Sequence, residues 1–348
     1  MNAAITAIEF HIPNGVLAND ELAEISDDWS ADKIEAKTGI LERRITSEGE
    51  CSSDLAVAAA EKLFASGAVR REEIDFVLLC TQSPDYLLPT TACLVQERLG
   101  LSNAVGALDV NLGCSGYVYG LGLAKGLIES GQAQNLLLIT ADTYSKFIRR
   151  EDLNVRTLFG DAAAATLIRN EGSRDKSLPD IGPLVYGTDG SGAENLIVRQ
   201  SGLRLFQPDD DTELTDGRGR LSMNGPQIFS FTLKAVPRLV NAILQKSRRT
   251  LDDVDLFVFH QANQYMLDHL RQKIGIPEER FYCAMKHYGN TVSSTIPIAL
   301  KHAQRDGRLR ENDTVMLVGF GVGYSWGATM IRPGRLAESP AQPVKAAA

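Results

Sequence analysis

The chain has 348 residues, 44% hydrophobic and 23% charged, and carries a formal net charge of −8. That is enough apolar sequence for two cores, while the acidic balance argues against a general nucleic-acid binder, which needs clustered Lys and Arg. No run approaches the roughly 20 apolar residues of a membrane span, and five scattered cysteines without Cys-x-x-Cys spacing argue against both a disulfide framework and a structural metal.

Ile5 to Ile12 alternates as a strand that ends at Pro13-Asn14-Gly15. No basic region followed by an apolar stretch precedes it, so the expectation is a cytoplasmic protein without a secretion signal. An acidic stretch from Asp20 to Asp28 leads to Trp29 and a helical segment to Lys37, closed by Thr38-Gly39. Ser52-Ser53-Asp54 would cap a helix from Leu55 to Ala65 that stops at Gly67. Ile74 to Thr81 is a continuous apolar strand of the kind buried in a parallel sheet. Pro84 and Pro89 bracket a loop, and Thr90 to Leu99 is helical.

An apolar run from Val105 to Val110 then drives into Asn-Leu-Gly-Cys-Ser-Gly-Tyr-Val-Tyr-Gly, residues 111–120, so Cys114 should sit where a strand turns into a helix. Free N–H groups and the helix dipole favour a thiolate there, and the thiolate is the nucleophilic form. Gly113 and Gly116 leave the sulfur approachable, and the glycines at 120, 122 and 126 predict another backbone close against this helix. On this stretch alone, a buried structural cysteine is the competing reading.

Asn135 to Ala141 is another buried strand, and Leu158 to Ile168 closes the first half with Phe159-Gly160-Asp161 as its turn. From Asp189 to Arg220 the chain is rich in Gly, Asp and Arg, which reads as an elaborated loop. Its Asp209-Asp210-Asp211 triplet is read as a solvated loop rather than a cation site. The expected division is a first half at 1–180, a connector at 181–222, a second half at 223–333 and a disordered tail at 334–348.

The second half echoes the first. Glu72-Glu73-Ile74-Asp75-Phe76-Val77 returns as Asp252-Asp253-Val254-Asp255-Leu256-Phe257, Arg98-Leu99-Gly100-Leu101 as Lys273-Ile274-Gly275-Ile276, and Leu136 to Ala141 as Val315 to Phe320. An offset of roughly 175 to 180 residues that holds over three elements is a repeat. Within it Gly289-Asn290 falls where Gly113-Cys114 fell, and His260 ends the strand equivalent to the one ending at Cys80. Ligands gather beyond the carboxyl ends of strands in open α/β sheets, so related strand ends would bring Cys114, His260 and Asn290 to one cleft. Singly, His260 reads as a core histidine and Asn290 as a helix cap; together they read as a site. His11, His269 and His302 fall on expected surfaces, and His287 lies close to Asn290.

At this point the chain, from Ile5 to Ile331, resembles the thiolase-fold condensing enzymes and specifically the β-ketoacyl-acyl-carrier-protein synthase III group. The resemblance rests on Gly113-Cys114-Ser115-Gly116, Phe159-Gly160-Asp161, His260-Gln261-Ala262-Asn263, Gly289-Asn290-Thr291 and the Gly-rich run from Gly319 to Gly327, in the family's order. It implies an α/β, five-layered αβαβα fold of two pseudo-twofold-related halves, a homodimer, a Cys114–His260–Asn290 active site and no permanently bound cofactor or metal. It also implies acyl-CoA and malonyl-ACP as substrates, an acyl carrier protein as partner, and no nucleic-acid or membrane partner. The backbone N–H groups of Cys114 and Val322 would form the oxyanion hole. Trp29, Lys37 and Asn263 would contact coenzyme A, and Leu88 would reach the acyl tunnel of the partner subunit in place of a common Phe. Leu153 stands where an Arg usually covers the adenine, and Ser230 and Tyr265 stand at two usually basic carrier-protein positions. Lys146, Arg149, Arg150, Arg248 and Arg249 remain as basic residues that an acidic carrier could meet. The residue types suit decarboxylative condensation. Acyl transfer to an oxygen or nitrogen acceptor is the competing chemistry, and a silent partner subunit is disfavoured by the complete Cys, His and Asn set.

Overall fold

The computed structural model describes residues 1–172, 180–199, 221–334 and 336–337. In chain order the first half runs β1 (Ala3–His11), β2 (Gly15–Ala18), α1 (Asn19–Ala23), α2 (Ala31–Thr38), β3 (Glu42–Ile45), α3 (Ser52–Ala65), β4 (Phe76–Cys80), α4 (Thr91–Arg98), β5 (Gly106–Val110), α5 (Gly116–Glu129), β6 (Asn135–Asp142), α6 (Leu153–Arg156) and β7 (Ala162–Asn170). The second runs β8 (Asp180–Thr188), β9 (Leu196–Val198), β10 (Leu221–Met223), α7 (Gly225–Ser247), β11 (Leu256–Phe259), α8 (Gln264–Ile274), α9 (Thr295–Arg305), β12 (Val315–Gly321) and β13 (Ser325–Arg332).

Strand pleating explains the layers. Along β4, Val77 and Leu79 point outward under α3 and α4, while Leu78 points inward against α5. Along β11, Phe257 and Phe259 point to α7 and α8, while Val258 joins Leu78 in the central layer. The run Leu55, Ala56, Ala59, Ala60 and Leu63 gives α3 one apolar face at helical spacing, buried against the first sheet. Helices α5 and α9 lie between the two sheets, with Tyr117, Leu121, Ile296 and Leu300 in that layer. Truncating one such leucine to alanine costs about 2–5 kcal/mol.

The sheet orders are β1-β7-β6-β4-β5 and β8-β13-β12-β11, and a parallel bridge from Phe257 to Phe281 falls where the second half's fifth strand would be. In each half strands on either side of the central helix in the chain pair in parallel, β4 with β6 and β11 with β12, and the last strand returns antiparallel. The internal repeat read from the sequence is thus the pseudo-twofold of a five-layered αβαβα fold.

Several local expectations change. Helix α3 begins at Ser52 rather than Leu55, because the Cys51 N–H is held by Asp54 Oδ2 at 2.7 Å. Residues 181–188 of the expected connector are strand: β8 pairs with β13 along its length. Its Gly182 and Pro183 weaken the strand signal, yet both are tolerated because β8 is an edge strand. The α5 glycines meet side chains rather than backbone. A Cβ at Gly120 would strike Leu138 and one at Gly122 would strike Tyr186, while Gly126 faces open space. His11 and His302 are half-buried, not on the surface, and the His302 ring lies 5.3 Å from both Phe10 and Tyr288. Within the expected tail, Leu336 is buried and the Ala337 N–H donates to Thr6 O, so these two residues dock. The Asp209–Asp211 triplet and residues 338–348 lie outside the described residues. No described helix is long and apolar enough to cross a membrane.

Candidate active site

Cys114 sits between the end of β5 and the start of α5, in the turn closed by the Gly116 N–H on Gly113 O at 2.7 Å. The turn is packed from both halves. A Cβ at Gly116 would lie 2.2 Å from Cys80 Sγ, and one at Gly321, at the end of β12, would lie 2.7 Å from Cys114 Cβ. Only glycine permits either approach. The backbone N–H groups of Cys114 and of Val322, next after Gly321, lie against the sulfur and pull its pKa down. Burial outweighs them, with Asp142 adding to it, and pushes the thiol up to about 12. The expectation of a thiolate favoured by the helix terminus is therefore corrected: removal from water outweighs the dipole, and the resting group is a thiol.

His260 follows β11, anchored by its N–H on Val318 O at 2.8 Å. Its ring is buried, edge-on to Phe320, with Nδ1 2.8 Å from Thr295 Oγ1 and Nε2 3.4 Å from Asn290 Nδ2. Burial lowers its pKa to about 3, so the imidazole is neutral. Asn290 is stitched into the first half: its N–H donates to Leu158 O at 2.8 Å, and the Gly160 N–H donates to its carbonyl at 3.0 Å. Its side-chain Oδ1 accepts the Val292 N–H at 3.0 Å, which turns Nδ2 toward His260. The Phe159-Gly160-Asp161 turn thus positions Asn290, while Asp161 is buried and accepts from the backbone and hydroxyl of both Thr46 and Ser145.

Around the thiol, Tyr144, Val155, Phe159, Leu196, Leu221 and Val292 form a buried apolar cluster that also touches Val322. The cluster escaped sequence reasoning because its members come from five separate segments. Asp142 and Thr295 were missed too; the one available signal was an acidic residue ending an apolar strand.

The remaining expected residues lie further out. Trp29 packs with Leu17, Leu22, Ile34 and Leu153, and Lys37 Nζ stands 4.8 Å from the indole centroid. Leu153 is buried beside that tryptophan. Asn263 caps α8, accepting the Met266 N–H at 2.9 Å. Leu88 is 82% exposed, between exposed Leu87 and Pro89. Ser230 and Tyr265 are exposed, the latter stacked on Phe229, and Lys146 donates to the carbonyls of Ser47 and Glu48. His287 is exposed, 3.8 Å from Glu42. Among the described residues no group of three or more His, Cys, Asp or Glu is arranged to hold a metal.

Two family models match: 3-oxoacyl-(acyl-carrier-protein) synthase III over residues 108–190, and the C-terminal part of the same family over residues 244–333. The chain is 37% identical over 335 residues to a beta-ketoacyl-(acyl-carrier-protein) synthase III of Clostridium perfringens, covering 95% of this chain and 99% of that one. A crystal structure of a 3-oxoacyl-(acyl-carrier-protein) synthase III superposes with a TM-score of 0.90 at 51% identity, over 95% of this chain and 100% of that chain. A 3-oxoacyl-(acyl-carrier-protein) synthase from Burkholderia xenovorans gives 0.89 at 35% identity, over 97% and 96%.

Proposed function

The chain belongs to the 3-oxoacyl-(acyl-carrier-protein) synthase III family of acyl-transferring condensing enzymes, and we propose that Cys114, His260 and Asn290 carry its reaction. The substrates are an acyl-CoA and malonyl-ACP, with no resident cofactor, and the compartment is the cytoplasm.

Cys114 attacks the acyl thioester; a carbon–sulfur bond forms at Cys114, the bond to CoA breaks, and the thiol proton leaves on the CoA sulfur. The apolar cluster of Tyr144, Val155, Phe159, Leu196 and Leu221 supports an acyl chain as what the sulfur carries. Malonyl-ACP then loses carbon dioxide, and the electron pair moves into an enolate. With the single Thr295 hydroxyl proton turned from Val292 O to Nδ1, His260 presents Nε2–H beside the Asn290 amide, giving two donors for the enolate oxygen in a dry site. The carbanion attacks the acyl carbon, whose oxygen is met by the N–H groups of Cys114 and Val322. Collapse releases 3-oxoacyl-ACP, and Cys114 regains a proton from solution.

What supports this reading is that Cys114 shares its buried cluster with Val292, whose N–H holds Asn290 Oδ1 beside the neutral imidazole of His260. Trp29 and Lys37 would hold the CoA nucleotide, with Asn263 contacting the coenzyme from the start of α8, the helix that packs against α2. A second copy of the chain would pair along the edge strand β5, where Leu108 is exposed, and receive Leu88.

The test is intact-protein mass spectrometry with acyl-CoAs of increasing length, followed by carbon dioxide release from malonyl-ACP. Wild type should gain one acyl group, extending beyond acetyl because Leu88 is smaller than Phe, and Cys114→Ala should gain none. His260→Ala and Asn290→Ala should lose on the order of 100-fold in gas release while acylation persists. Labelling of Cys114→Ala, or acyl transfer without gas release, overturns the reading.

A further inference from the structure

Asp142 ends β6 in the half that carries Cys114, and its side chain is fully buried. Its Oδ1 accepts the Gln82 N–H at 2.8 Å; its Oδ2 accepts both the hydroxyl and, at 3.3 Å, the N–H of Ser293 from the other half. Ser293 follows Val292, whose φ of 53° places a β-branched residue in the left-handed region. Such a conformation persists only where the surroundings over-determine it. Here the clamp on Ser293 does so, aided by Ser294 Oγ on Thr140 O at 3.1 Å.

The left-handed turn has two products. Val292 N–H is returned to Asn290 Oδ1 at 3.0 Å, and Thr295 Oγ1 lies 3.1 Å from Val292 O and 2.8 Å from His260 Nδ1, its one proton serving one of the two at a time. Both donors of the catalytic pair therefore depend on one residue's backbone.

We propose that Asp142 is a positioning residue: its carboxylate reaches across the halves to hold the Val292–Ser293 turn in the shape that aims Asn290 Nδ2 and His260 Nε2 at one point. The inference rests on the decarboxylative reading of the site. An acceptor-only group suits three converging donors, and protonation would add a hydrogen where another donor already points. Burial raises the carboxyl to about 7, and the ionised form is competent, so donor geometry improves as pH rises through that value. The titratable groups facing Asp142 are Cys80, Cys114, Tyr144 and Asp161, of which Asp161 is held by four donors of its own.

The test compares wild type with Asp142→Asn, Ser293→Ala and Asp142→Asn/Val292→Gly. Asp142→Asn should lose on the order of tenfold or more in carbon dioxide release, with Cys114 acylation within about threefold of wild type. The acidic limb of the wild-type decarboxylation profile should be absent in Asp142→Asn and present in Ser293→Ala. Glycine adopts the left-handed turn without a Cβ, so the double variant should recover about threefold or more over Asp142→Asn. The 15N signals of the His260 ring, assigned through His260→Ala, should move in Asp142→Asn.

Equal loss of acylation and decarboxylation, or unchanged gas release, pH limb and His260 signals in Asp142→Asn, overturns the proposal. If Asp142→Asn does not fold, Ser293→Ala decides by the same partial reactions, with gas release reduced and acylation kept as the supporting result. A wild type that releases no carbon dioxide instead refutes the condensing reading, and the His260 signals then decide on Asp142 alone.

Discussion

The Cys114 sulfur rests as a protonated thiol, because burial outweighs two nearby N–H groups and raises it to about 12. Alkylation of Cys114 by iodoacetamide should therefore accelerate about tenfold per pH unit from pH 7 to 10 without levelling off, following the thiolate fraction. Peptide mass spectrometry reads the rate, with exposed Cys93 as the internal control; a plateau near neutrality would mean a preformed thiolate. His260, lowered to about 3, stays an uncharged donor over the same range. Cys114, His260 and Asn290 could be singled out in the sequence because each falls in a recognisable motif, the first two just beyond strand ends. Asp142 and Ser293 were not, since each acquires its role from a partner 151 residues away, and no local pattern encodes that distance.

At the scale of elements, the buried strands declared themselves through unbroken apolar runs, and the repeat followed from their offset. What escaped was β8, whose Gly182 and Pro183 read as loop but fit an edge. Helix α6 carries Leu153 into the cluster around Trp29, so an apolar side chain occupies the place where a cation was expected. With one stacking partner gone, the nucleotide should rest on the indole and Lys37 alone. Trp29→Ala should then raise the KM for an acyl-CoA about tenfold, a cation–π and stacking loss, while kcat and the KM for the corresponding acyl-pantetheine stay within about twofold. Steady-state kinetics with the two donors checks this, and an equal rise for both would place the nucleotide elsewhere.

For the whole molecule, the exposed large apolar side chains include one consecutive run and one on a sheet edge. Tyr86, Leu87 and Leu88 are 62%, 76% and 82% exposed, and Leu108 is 48% exposed on the unpaired edge of β5. An open apolar edge invites strand pairing with a second copy. Sedimentation should give a dimer, and Leu108→Asp should shift it toward monomer by placing a charge in the joint; an unshifted dimer would move the interface to another face. The αβαβα layering was legible through the family resemblance, and pleat alternation in two similar sheets agrees with it. The seam was not, because its contacts are formed by residues that are polar, small and far apart in the chain.

That seam has a mechanical meaning. Asn290 exchanges backbone hydrogen bonds with Leu158 and Gly160, so the two lobes are sewn together through one of the three residues proposed to act. The lobes cannot part like a jaw at this point without breaking both of those hydrogen bonds. On the proposed chemistry, then, the thioester should reach Cys114 at the end of a slim tether, with its bulky bearer left outside.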